Sequence, residues 1–344
     1  MPDHTLPLLP TTVIGSYAIP SWFWTALEEI KAGNYGATDV KETLDDAVNI
    51  ALRDQERAGV DIITDGEMRR WYFVQGFYEK FTGLASIEPP RKMGVYGYDS
   101  PRRWRPVERI TAPEGLGLVP EFLYAKANTD RRLKAACPGP LTITIHIQLR
   151  EGQVYRDRLE LAHEMAGILN RELKALVAAG ADYIQIDEPS FAIIPGETRD
   201  WVDLYNRTVE GVNAKIALHV CFGNLGSRPR GKRRYGWMFP EIMETRCDEL
   251  VFEFANREMK EIELVKEIAS AKGVGVGVVD IKSFYVETPE DVAERVREAL
   301  KHVPPEKLHL CPDCGFFQLP RWLAFLKLKA LVEGTKIVRK ELTG

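Results

Sequence analysis

Tyr183-Ile184-Gln185-Ile186-Asp187-Glu188-Pro189 is a short apolar run that ends in two carboxylates and a proline. Seven other stretches are built the same way: TTVIGSY (11–17), DIITDGE (61–67), PLTITI (140–145), IALHVC (216–221), ELVFEFAN (249–256), GVGVGVVDI (273–281) and LHLCPDCG (308–315). Their β-branched content and lengths of about five to eight residues suit buried parallel strands. Helical patterns fill most of the intervals, at 41–59, 157–180, 257–272, 288–302 and 317–333, and the first two run into Gly59 and Gly180 as C-cap signals. Eight strands alternating with helices predict an α/β fold, a closed (β/α)₈ TIM barrel, with an open doubly wound sheet as the alternative.

One stretch breaks the alternation. Residues 85–115 are rich in Pro, Gly and Arg and predict a hairpin-like insertion after the second strand. A basic loop over about 226–236 carries Arg228, Arg230, Lys232, Arg233 and Arg234. Repeats, low-complexity tracts and linkers are not evident, so residues 1–344 are expected to form one barrel domain.

The composition bounds the function. Of 344 residues 45% are hydrophobic and 28% charged, which suits a large globular core and excludes a disordered or collagen-like chain. Lys+Arg 46 against Asp+Glu 50 gives a net charge of −4, which argues against a nucleic-acid or membrane-surface partner. Five cysteines are too few and odd in number for a disulfide framework. Without an apolar run of about 18 residues or a signal-like start, the expectation is a soluble cytoplasmic protein.

The chemistry gathers at strand ends. His219 and Cys221 stand two apart and so share a strand face; Glu253 and Cys314 end two further strands. Barrel strand ends converge on one rim, and thiolate, imidazole and carboxylate together suit zinc. The competing reading makes His219 a satisfied core histidine and the cysteines small core residues. Cys311-Pro-Asp-Cys314 lacks the second pair a zinc knuckle needs, so Cys314 is the favoured ligand and Cys311 a bystander. Asp187-Glu188 and Asp65-Gly66-Glu67 suit a cationic amino group or acid–base work, or else helix capping. Gly15-Ser16 offers backbone N–H groups and a hydroxyl to an anion.

Together with Gly139-Pro140-Leu141-Thr142, Asp280-Ile281 and Pro312-Asp313-Cys314-Gly315, these pieces resemble, in family order over most of residues 11–335, the C-terminal catalytic domain of cobalamin-independent methionine synthase. The family's large N-terminal barrel is absent, so the chain resembles a short, single-barrel member. The resemblance implies zinc on His219, Cys221, Glu253 and Cys314, with the homocysteine thiol bound to it. It also implies Asp187 and Glu67 at the amino group and Ser16 at the carboxylate. A thiol is mostly protonated near neutral pH; a metal that ionises it supplies the nucleophile. Methyl transfer to that sulfur would yield methionine.

The donor side departs from the family. His146 stands where the folate-using enzymes carry a pterin-stacking tryptophan, and Lys282 stands where they carry a histidine thought to move a proton. A lysine is a poor shuttle near neutral pH. The donor is therefore expected to be either 5-methyltetrahydrofolate in polyglutamate form or a methylated corrinoid, free or protein-bound. Two other readings stay open: alkyl transfer to or from another thiol such as coenzyme M, and a related barrel that only carries a corrinoid, tetrapyrrole or metal.

Overall fold

The fold was analysed in a computed structural model that describes residues 6–70, 73–93, 99–150, 154–224 and 231–344. Eight parallel staves close into a barrel. Six form a continuous sheet: Ala135–Pro138, Tyr183–Asp187, Lys215–Val220, Glu249–Glu253, Gly273–Val279 and Leu308–Pro312. The remaining two are very short. Ile62–Ile63 pairs with Arg132–Leu133, which runs on into Ala135–Pro138, and the Lys134 N–H donates to Ile63 O at 2.8 Å. Thr11 and Thr12 close the ring, bridging Leu310 on one side and Ile62 on the other. Their bonds are Thr12 N–H to Leu310 O, 2.8 Å, and Ile62 N–H to Thr11 O, 3.0 Å.

Two expectations are corrected in place. Of the stretch 11–17, only Thr11 and Thr12 carry bridges. PLTITI (140–145) is no strand: the stave is Ala135–Pro138, and Pro140–Ile143 forms a helical turn. The reason is local. Pro140 opens that turn, and its free N–H groups at Leu141 and Thr142 donate to the Glu188 carboxylate at 2.8 and 3.2 Å.

The long helices follow their sequence signals. Ala37–Ala58 stops at Gly59, whose φ of 88° is left-handed. Arg158–Ala178 starts on Asp157, whose side chain accepts from Glu160 N–H. Pro289–Leu300 opens with a capping box between Thr288 and Asp291. The expected helix 257–272 shrinks to Val265–Ala271 behind two 3₁₀ turns, and the last helix spans Arg321–Thr343. The insertion is an antiparallel hairpin, Thr82–Ile87 with Arg103–Thr111.

Strand periodicity sorts the barrel interior into levels. Alternate residues share a face, so Tyr183, Gln185 and Asp187 line up, as do Ala217, His219 and Cys221, and Glu249, Val251 and Glu253. Ile14, Ile62, Tyr183, Ala217, Val251 and Cys311 pack as a separate buried cluster. Full burial of each Ile or Val side chain there contributes about 1.5–3 kcal/mol. Cys311 belongs to this apolar layer. Below it, Glu249 meets Lys215 and His309; beyond it, at the strand C-termini, lie the expected ligands.

Candidate metal centre

His219, Cys221 and Cys314 present one ligand atom each, all within 4.8 Å of one another. The pattern His-x-Cys on Lys215–Val220 and its exit places the first two; the turn after Leu308–Pro312 supplies the third. The two sulfurs lie 3.6 Å apart. Their contact pulls Cys314 down to about 7, helped by His219 and Lys282, while the same contact and burial hold Cys221 well above its ordinary value. A cation bound between the two sulfurs would favour their thiolate forms.

His219 is aimed by a carboxylate. Its Nδ1 lies 2.8 Å from Asp187 Oδ1, across the adjoining stave. With Nδ1–H donating there, Nε2, which stands 3.4 Å from Asp313 O, could offer its lone pair to a metal. Burial favours the neutral ring, but Asp187 outweighs it and moves His219 upward. Gln185 Nε2 donates to the same Asp187 oxygen at 2.7 Å, and Lys134 Nζ donates to Gln185 Oε1 at 2.6 Å.

The fourth expected ligand, Glu253, lies outside that three-residue group. It is fully buried; its Oε2 accepts from Phe222 N–H at 3.1 Å and is ion-paired with Lys282 Nζ. Its Oε1 is buried without a partner among the described residues. The two thiols and the imidazole could hold a metal ion, and a buried carboxylate oxygen without a partner is a donor type that also suits zinc.

The substrate residues of the expectation divide. Gly15 and Gly315 let Ser16 and Glu67 come close: a Cβ on Gly315 would stand 2.1 Å from Ser16 Oγ, and one on Gly15 2.2 Å from Glu67 Oε1. Glu67 sits at a φ of 56°, unusual for a residue with a side chain. Burial pushes it up to about 8, against the pull of Arg70, and its Oε2 has no partner among the described residues. His146 makes edge contact with Tyr78, and its carbonyl accepts from Trp104 N–H on the hairpin; burial pushes the imidazole down to about 4. Of the basic loop, Arg228 and Arg230 fall outside the described residues. Lys232 stands over the Trp237 ring and Arg233 bonds Asn256.

Two residues escaped the sequence reading. Asp313 accepts from the N–H groups of Phe254, Ala255 and Asn256 at 2.6–3.0 Å, which fixes the turn leaving Glu253. The Tyr235 hydroxyl donates to Val220 O and accepts from Glu253 N–H, each at 3.0 Å, tying the ends of two staves together. Asp313 lies inside the quoted CPDCG motif, which was its only signal.

A sequence model of the family described as "Cobalamin-independent synthase, Catalytic domain" matches residues 9–337. The chain belongs to this family. It is 39% identical over 339 residues to a methionine synthase of Saccharolobus solfataricus, covering 98% of this chain and 97% of that one. With a methionine synthase of Sulfurisphaera tokodaii it shares 38% over 338 residues, 98% of this chain and 94% of that one. The solved structure of a B12-independent methionine synthase from Shewanella sp. W3-18-1, in complex with selenomethionine, matches with a TM-score of 0.81 at 30% identity, covering 97% and 99% of the two chains. This member of the cobalamin-independent methionine synthase family is therefore an enzyme, a methyltransferase of methionine biosynthesis on a TIM barrel. None of its described helices is long and apolar enough to cross a membrane.

Proposed function

We propose that the chain methylates the thiol of homocysteine with one zinc ion held by His219, Cys221, Glu253 and Cys314, acting as one barrel domain in the cytoplasm. The observation that carries this reading is the convergence of the His219, Cys221 and Cys314 ligand atoms within 4.8 Å, with the orphaned Glu253 Oε1 buried as well. Zinc bound there lowers the pKa of a coordinated thiol and keeps its sulfur nucleophilic.

The chain's own groups bind and orient the amino acid. Glu67 Oε2 and the outer oxygen of Asp187 receive the ammonium group; Ser16 and neighbouring N–H groups receive the carboxylate. An ammonium beside Glu67 restores the charge that burial suppresses, so substrate and carboxylate ionise each other's site favourably. Asp187 Oδ1 beside His219 Nδ1 favours the tautomer whose Nε2, 3.4 Å from Asp313 O, would turn its lone pair to the metal. Two acidic groups aimed at an amine favour an amino-acid thiol over coenzyme M, which has no amine. Selenomethionine in the Shewanella relative agrees with a methionine-shaped site.

The donor is a methylfolate or a methylated corrinoid, free or protein-bound. His146 stays a neutral imidazole at pH 7, and Lys282 is committed to Glu253. An assay of zinc-loaded protein with homocysteine, supplying methyltetrahydrofolate, its polyglutamate form and methylcobalamin side by side, tests both parts. Methionine with any donor supports the reading and identifies the donor; none with all three contradicts a free donor, and none with a methylated corrinoid protein added contradicts the reading.

A further inference from the structure

Lys282 and Glu253 form an ion pair whose side chains are 1% and 0% exposed. The ammonium holds Oε2 alone, and Phe222 N–H holds the same oxygen. Oε1 is left buried and without a partner among the described residues. Lys282 is itself fixed, since its backbone N–H donates to Asp280 Oδ1 at 2.8 Å. The carboxylate is thus divided into one occupied oxygen and one vacant oxygen. A carboxylate free to rotate binds a cation through one oxygen or both; one with Oε2 tethered has only Oε1 to give.

We infer that Lys282 is a positioning residue that clamps Glu253 Oε2, so that Glu253 meets the metal through Oε1 only and a coordination position stays open for the substrate sulfur. The inference rests on the zinc reading above. Zinc sites reach five ligands at most in such chemistry. His219, Cys221, Cys314 and one oxygen make four, and a second oxygen would take the fifth place. Charge points the same way. Zn²⁺ with two thiolates and a carboxylate is formally −1, and an arriving thiolate would make it −2. The buried lysine reduces each figure by one in a region where uncompensated charge is costly.

Cobalt(II) in place of zinc reports coordination number through its visible spectrum. The wild-type protein is expected to show a thiolate-to-cobalt charge-transfer band and the intense ligand-field bands of a four-coordinate ion. Lys282→Met should weaken and shift the ligand-field bands as the second oxygen closes on the metal, and homocysteine should then perturb them less. Lys282→Arg, which keeps the charge, should restore the wild-type spectrum. Identical spectra for wild type and Lys282→Met overturn the inference while leaving the zinc reading intact. So does a Lys282→Arg spectrum that matches Lys282→Met. Absence of the charge-transfer band from the wild type overturns the zinc reading and this inference with it. Should Lys282→Met fail to fold, cobalt-edge X-ray absorption of the wild type decides: a one-oxygen carboxylate supports the clamp, and a two-oxygen carboxylate overturns it.

Discussion

Asp187 Oδ1 and His219 Nδ1 lie 2.8 Å apart on neighbouring staves, paired in register. A residue expected to hold substrate therefore also orients a proposed metal ligand. Gln185 braces it from below with a 2.7 Å bond to the same oxygen. Amide in place of acid would remove the charge that holds the imidazole tautomer. Asp187→Asn is expected to lower zinc affinity about 10–100-fold, the usual cost of losing such a partner. Competition against a chelating dye measures it; unchanged affinity would deny Asp187 this role.

Cys314 sits 3.6 Å from Cys221 and is the less buried of the two. Cys314→Ser replaces a thiolate by a hydroxyl that stays protonated. Zinc content should fall from about one per chain to near none after dialysis against chelator, with methionine formation lost alongside. Cys311→Ser is the control. It lies in the apolar layer with Val251 and Tyr183, so its zinc content should match wild type even if its stability drops.

Gly15→Ala tests the amino-group site without touching the metal. The added methyl would stand 2.2 Å from Glu67 Oε1, so the carboxylate must move. Losing a charge-assisted contact of about 1.5–3 kcal/mol predicts a homocysteine KM raised about 10–100-fold. Zinc content should stay at the wild-type level. A variant with normal KM would show that Glu67 does not touch the substrate.

How much of this was legible in sequence depends on distance along the chain. His219 and Cys221 are readable because a two-residue spacing fixes a common strand face, and their strand is regular. Closure of the barrel was harder, because its first stave is two residues held by Leu310 and Ile62, nearly 300 and 50 positions away. PLTITI has strand-like composition, yet Pro140 and the distant Glu188 turn it into a helical start. Asp313 and Tyr235 act on turns and backbone groups brought near only by folding, which no local pattern signals. Lys282 was visible as a departure and Glu253 as a strand-end carboxylate, but the ion pair between them was not.

The opposite end of the barrel offers a stability test. Glu249 is buried, and burial alone would raise its carboxyl; His309 and Lys215 outweigh that and hold it well below the usual carboxylate range. A depressed folded value stabilises above the unfolded value of about 4.3 and is lost as pH falls below it. Glu249→Gln removes the carboxylate that Lys215 pairs with and should lower stability at pH 7 relative to wild type. Denaturant titrations at several pH values should show that gap constant above about pH 5 and narrowing below about pH 4. A gap that widens in acid would contradict the assignment.

The account stands most directly on sulfur coordination. Zinc-edge X-ray absorption of the loaded protein should show two sulfurs near 2.3 Å, rising to three when homocysteine is added. A sulfur count that homocysteine leaves unchanged, or a zinc shell without sulfur, would contradict it.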